Sequence, residues 1–324
     1  MFYIKEGSED LKHLQKVLLM ILKDFIEICE ENDLNYYVCG GTALGAVRHN
    51  GFIPWDDDVD VYLFRKDYEK FLEIVSKKEN DKYTFVNVKT HDDYFLYFTK
   101  MMLNGTKFEE WWANQVNFKS QIFIDIFVLD NITDNRFKRF FQVKICRILD
   151  RLTTIAAIKL EGYPKSVQIP SNIIHNIFKL LKIKPITISN LNLKLMKINK
   201  DDNSKMVCDF SEVGRPAVYE RKDFGKPIKI KFESIEVNVA QNYNYTLSKI
   251  YGDYMKIPDK KDRINHKISR PDSPCCTGHP DGCTGHCCTG HSGPVPGIGR
   301  SGRCRTDRHA AAVRGWTTDR KSVV

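Results

Sequence analysis

The sequence predicts a mixed α/β or α+β fold, a mixed sheet flanked by helices with a further, mostly helical C-terminal region. Three observations carry that expectation. Leu11, Leu14, Leu18, Ile21, Phe25 and Ile28 recur at helical spacing. QIFIDIFVL, residues 121–129, is a strand-length apolar run broken only by Asp125. Patterns of both kinds then mix along the chain.

The elements follow in order. Ser8 is placed to cap the first helix, with Glu9 and Asp10 in its first turn and an end near Glu31. Tyr36 to Cys39 reads as a short buried strand that stops at Gly40 and Gly41. Thr42 to His49 suits a short helix, and Gly51 and Pro54 mark a loop. Val59 to Phe64 reads as a strand, Lys66 to Lys77 as a helix and Tyr83 to Val88 as a strand. Asn104-Gly105 signals a hairpin between Tyr94–Leu103 and Thr106–Trp111. Residues 121–129 form the next strand and 135–160 a helix. Pro164, Pro170 and Pro185 are expected to break up the mostly helical stretch that follows. Lys226 to Ala240 reads as two strands and Tyr243 to Tyr251 as the last helix.

Three segments result: a catalytic core over 1–133, an accessory region over 134–271 that completes it, and a tail over 272–324. The tail has no Asn and a single Lys, whereas the body is rich in Lys, Asn and Ile. Six of the ten cysteines lie there, and CTGH occurs three times. Cys-x-x-His repeats offer zinc ligands, but the biased composition favours a low-complexity end without function. The other four, Cys29, Cys39, Cys146 and Cys208, are scattered as in a reducing compartment.

With 42% hydrophobic and 28% charged residues, the body is expected to be globular. No apolar run reaches the length of a bilayer span, and the first residues lack the pattern of a signal peptide. A cytoplasmic location is the resulting expectation. The net charge of +9 suits a phosphate-bearing substrate, nucleic acid or an anionic membrane surface without selecting among them. No nucleic-acid-binding module is recognisable, so nucleic acid is not expected as a partner.

GGTALGAVRHNGFIPWDDDVDVYLF, residues 40–64, carries the chemistry. Asp56, Asp57, Asp58 and Asp60 crowd against Val59, Val61 and Leu63. Acids this close repel, and burying them is costly unless a positive charge joins them. If the strand begins at Asp58, then Asp58 and Asp60 share one face and Asp57 takes the other. Asp125 adds a carboxylate from a second apolar strand. Three carboxylates on adjacent strands suit one or two hard divalent cations. An EF-hand is excluded, since its glycine and glutamate positions hold Val61 and Asp67. Gly40 and Gly41 before a helix let backbone N–H groups approach a phosphate, and Thr42 adds a hydroxyl. Arg48 and His49 are candidates to neutralise a diphosphate, while Trp55 is expected to pack. The bland alternatives are an ordinary glycine turn and a solvated acidic loop. A phosphate cradle beside metal-binding acids is the layout of phosphoryl transfer.

These residues resemble the LicD family, the phosphocholine transferases of bacterial surface glycans, whose core fukutin and fukutin-related protein share. The Gly-Gly turn falls on Gly40 and Gly41, the carboxylate pair on Asp58 and Asp60, and the third carboxylate on Asp125. Residues 251–267, YGDYMKIPDKKDRINHK, resemble the family's usual ending. Val128 stands where relatives often have proline. The resemblance spans about Leu11 to Lys267 and implies a nucleotidyltransferase fold. It also implies transfer of phosphocholine or a polyol phosphate from a CDP-alcohol to a hydroxyl of a glycan or lipid-linked glycan. Asp58, Asp60 and Asp125 would then be catalytic and hold magnesium, or manganese in its place. Gly40, Gly41, Thr42, Arg48 and His49 would bind the donor.

Two rivals share these residues. A nucleotidyltransferase would release pyrophosphate from a triphosphate, and a binding protein would keep the site as a relic. Residues 172–184, NIIHNIFKLLKIK, add a basic amphipathic helix suited to peripheral contact with the inner face of a membrane. An apolar face at helical spacing is more often core.

Overall fold

The computed structural model describes residues 4–263, except 78–79, 109, 162 and 212–216. The tail over 272–324, with its zinc reading, lies outside the described residues, as do the last four of 251–267.

The chain opens with helix α1 (Glu9–Glu31), whose first turn is capped by Ser8 Oγ accepting from the Leu11 N–H at 3.2 Å. Its apolar stripe, Leu11 to Phe25, is buried against the sheet. Strand β1 (Tyr36–Val38) leads into α2 (Gly40–His49) and β2 (Asp60–Phe64). Helix α3 (Arg65–Lys77), β3 (Tyr83–Val86), β4 (Thr99–Leu103) and β5 (Phe123–Ile132) follow. Three helices come next: α4 (Arg136–Ala157), α5 (Lys165–Leu180) and α6 (Pro185–Met196). The chain then returns through β6 (Met206–Asp209), β7 (Ala217–Glu220), α7 (Arg221–Phe224), β8 (Ile228–Phe232), β9 (Ile235–Val239) and α8 (Tyr243–Tyr251).

The main sheet is mixed, as the sequence predicts. Its order is β1-β2-β5-β4-β3, and β6 and β7 extend it from β5. Strands β2 and β5 are parallel, and the other pairs are antiparallel. All ten residues of β5 are buried, which explains a sequence apolar on both faces. Leu129 pairs with Phe64 of β2 and Asp209 of β6, so β6 lies on the edge of β5 opposite β2. Phe232, Val237 and Val239 of the β8–β9 hairpin and Leu247 of α8 pack in the same core as α1 and β2. The return of the chain therefore closes over the N-terminal half.

Four expectations differ. Gly40 and Gly41 begin α2 instead of preceding it. The turn at Asn104-Gly105 exists, with Gly105 at φ 78°, but the described residues of 106–111 form no strand after it. Thr106 takes over: its hydroxyl donates to Leu103 O at 2.6 Å and accepts from the Ile122 N–H at 3.0 Å. Strand β4 pairs instead with β3 on one edge and β5 on the other, both antiparallel. Pro170 lies inside α5 without breaking it, at the loss of one backbone bond. Strands β6 and β7 have no counterpart among the sequence-predicted elements. They are four residues each, too short for a periodic signal.

Candidate active site

The site gathers at the N-terminal end of the parallel pair β2–β5. Asp60, the first residue of β2, is in register with Asp125 of β5. Both are buried. The register places two expected site residues side by side on neighbouring strands.

Asp56 to Asp58 lie in the loop before β2, so strand alternation does not reach them. The expectation that Asp57 faces away from Asp58 fails for that reason. One carboxylate oxygen from each of Asp56, Asp57 and Asp58 lies within 4.8 Å of the others. Asp56 and Asp57 are buried and Asp58 is half-buried. Two contacts hold the loop: Gln15 of α1 donates to Asp56 O at 2.9 Å, and the Asp56 N–H donates to Ile53 O at 2.9 Å. Gly45 makes room, since a Cβ there would collide with the carbonyl oxygen of Gly51.

The electrostatics are unfavourable for acids alone. Burial and then the charges of Asp58, Asp57 and Asp60 push the Asp56 carboxyl well up. Its Oδ1 is buried without a hydrogen-bond partner among the described residues. A set of convergent carboxylate oxygens with one orphaned atom fits a hard divalent cation, which takes oxygen ligands and relieves their repulsion.

Asp125 is held differently. Lys100 of β4 is 1% exposed, and its Nζ lies 3.0 Å from Asp125 Oδ1 and 3.3 Å from Glu110 Oε2. The same ammonium sits 3.2 Å from the centre of the Phe123 ring. Burial raises the Asp125 carboxyl to about 7; Lys100 pulls it back, while Glu110 and Asp58 push it up. Sequence reasoning missed Lys100 and Glu110. The signal was a lone lysine within the apolar run YFLYFTKMML, residues 94–103.

The phosphate-cradle candidates are buried at the start of α2. Gly40 has φ 55°, a conformation that favours glycine. Thr42 Oγ1 accepts from the Asp60 N–H at 2.9 Å, and the Cys39 N–H donates to Asp60 O at 3.0 Å. These contacts fasten the start of α2 to the start of β2. Arg48 and His49 lie at the other end of α2. Arg48 donates to Tyr254 O at 2.8 Å and to His49 Nε2 at 2.9 Å. Burial lowers both groups. Trp55 is buried between His49, 6.4 Å away edge-on, and the Arg263 guanidinium 4.5 Å from its ring. It packs, as expected.

The sequence of this region matches known proteins. Residues 33–146 match the family described as LicD/FKTN/FKRP, nucleotidyltransferase domain. The lipopolysaccharide cholinephosphotransferase LicD of Haemophilus influenzae is 30% identical over 263 residues, 80% of this chain and 96% of that one. The chain belongs to the LicD family. A shorter match links this LicD protein to the ribitol 5-phosphate transferase FKRP of Mus musculus, 32% identical over 65 residues, 20% of this chain and 13% of that one. Membership makes the protein an enzyme of the phosphotransferase kind. The matched span begins just before β1 and ends within α4, so it contains all four crowded aspartates, Lys100 and Asp125.

Proposed function

We propose that this LicD protein transfers a phospho-alcohol, phosphocholine or a polyol phosphate, from a CDP-linked donor to a hydroxyl of a glycan or lipid-linked glycan. The convergence of Asp56, Asp57 and Asp58 at the head of β2, beside the Asp60–Asp125 pair, carries this reading. The similarity to a lipopolysaccharide cholinephosphotransferase supplies the class of acceptor. The reaction is placed in the cytoplasm or at the inner face of the cell membrane.

Asp58 and Asp60 would hold magnesium or manganese, with Asp56 and Asp57 completing the acidic set. A bound divalent cation supplies Lewis-acid stabilisation of charge on phosphate oxygens. The acceptor hydroxyl attacks the distal phosphorus of the donor in line. The bond from that phosphorus to the bridging oxygen breaks, and CMP leaves with the electron pair. Asp125, on the strand beside Asp60, takes the hydroxyl proton. Lys100 is a positioning residue, because its ammonium fixes Asp125 Oδ1. The N–H groups at the start of α2 face an anionic donor with the positive end of the helix dipole.

The test is incubation of the protein and magnesium with a panel of CDP-alcohols and a glycan acceptor, followed by chromatography for CMP. Acceptor-dependent CMP release is expected. Pyrophosphate release from CTP, with no CMP from any CDP-alcohol, would assign a nucleotidyltransferase instead.

A further inference from the structure

The three-helix segment α4–α6 has a surface that the chemistry at β2 does not use. On α4, Phe137, Phe141, Ile145 and Ile148 are all exposed, Phe137 by 79%. Their spacing, i, i+4, i+8, i+11, is that of one helical face. On α5, Ile169, Ile173, Ile177 and Leu180 repeat the same spacing and are also exposed, Leu180 by 80%. The buried face of α4 is a different one, formed by Cys146, Asp150, Thr153 and Thr154. Of the sixteen residues of α5, only Ser171 is buried. The apolar side of each helix therefore meets solvent. For α5 this settles the choice between core and surface that its sequence left open.

The charge around these stripes is one-sided. Residues 136–200 hold fourteen Lys and Arg against two Asp and Glu. The rest of the chain holds 36 against 39. The net positive charge of the protein thus resides in this segment. Arg136, Lys138, Lys144 and Arg151 are exposed along α4, and Lys179 and Lys182 at the end of α5.

We propose that α4 and α5 dock the protein on an anionic lipid bilayer, lying in its interface. Exposed aromatic and aliphatic stripes bordered by lysine and arginine are what an interfacial helix needs: apolar area for the acyl boundary and cations for the headgroups. Crossing the bilayer is not involved, since no described helix is long and apolar enough for that. A second copy fits less well, because it would bring one strongly positive surface against another. The inference is independent of the reaction assigned to the aspartates.

The experiment is co-sedimentation of the full chain with phosphatidylcholine vesicles, with and without phosphatidylglycerol, at low and high salt. Binding to the phosphatidylglycerol vesicles is expected, falling as salt rises. Phe137→Ser with Phe141→Ser should weaken it about tenfold or more, since two aromatic side chains leave the interface. Lys138→Glu with Lys144→Glu should weaken it about as much and reduce the salt dependence. All four side chains are exposed, and circular dichroism checks that both variants remain folded. No binding, equal binding to both vesicles at low salt, or unchanged binding by both variants overturns the proposal. So does a dimer in analytical ultracentrifugation that the phenylalanine substitutions dissociate, because the face then belongs to a second copy.

Discussion

Asp130 and Asp56 are buried aspartates at opposite ends of the β2–β5 strand pair, and their surroundings differ. Asp130 lies near the C-terminal end, where Arg65 grips both its oxygens, Nε to Oδ1 at 2.7 Å and Nη2 to Oδ2 at 2.9 Å. Burial pushes that carboxyl up and Arg65 pulls it back. Asp56 lies at the N-terminal end, where the charges that dominate it are those of Asp58, Asp57 and Asp60. An arginine thus faces the buried acid at one end of the strands, and further acids face the buried acid at the other. A buried charge is tolerated when paired and hydrogen-bonded. The cation proposed above belongs at the Asp56 end, which is also the end where Asp60 and Asp125 meet.

The comparison breaks most readily at the acidic end. Asp58→Asn and Asp60→Asn should each reduce CMP release on the order of a thousandfold, because a metal contributes several kcal/mol to the transition state. Asp57→Asn should fall within about tenfold of Asp58→Asn, since the two carboxylates converge. Near-normal turnover in folded Asp58→Asn and Asp60→Asn would remove the cation from the account.

At the other end the expected loss is of stability. Arg65→Met leaves Asp130 buried without its partner and should cost about 3 kcal/mol in urea unfolding, with CMP release per folded molecule retained. A loss of turnover in the folded variant would mean that the two ends are not separate.

Cation binding itself sharpens the contrast without any assay of transfer. Magnesium at about a hundred times its dissociation constant should stabilise the protein by about 2.7 kcal/mol. Thermal unfolding should show this in the parent and in Arg65→Met, and not in Asp58→Asn. Equal stabilisation of all three would place the ion elsewhere.

Much of this site was legible in the sequence, and the illegible part has a physical cause. The run from Gly40 to Phe64 announced the acids, and the apolar neighbours of Asp125 marked a second strand. Register between β2 and β5 is a long-range property, so the sequence suggests adjacent strands for these carboxylates but not the pairing of Asp60 with Asp125, which the structure supplies. The error over Asp57 came from extending period-two alternation into a loop, where it has no force. Lys100 was missed because its partners, Asp125 and Glu110, are distant in sequence. In the fold, long periodic elements such as α1 and α8 were readable. The four-residue strands β6 and β7 were not, because β6 depends on β5, distant in sequence, and β7 on β6.

Asp150 of α4 extends the comparison to a buried acid that is neither gripped like Asp130 nor clustered like Asp56, and its effect on turnover should be the smallest. Burial raises its carboxyl to about 7, with only a partial opposing pull from Arg151. An unfolded aspartate titrates near ~3.9. Between those values the folded chain keeps a proton that the unfolded chain has released. Stability must therefore fall as pH rises through that window, and the loss persists above it. This is the reverse of the behaviour of an aspartate held ionised by a salt bridge. Asp150→Asn removes the titration while keeping the shape of the neutral acid. The variant should nearly match the parent near pH ~4 and exceed it by up to about 4 kcal/mol near pH ~8. Urea unfolding at the two pH values is the measurement. A variant less stable than the parent at the higher pH would mean that Asp150 is ionised in the fold and has a cationic partner, as Asp130 does.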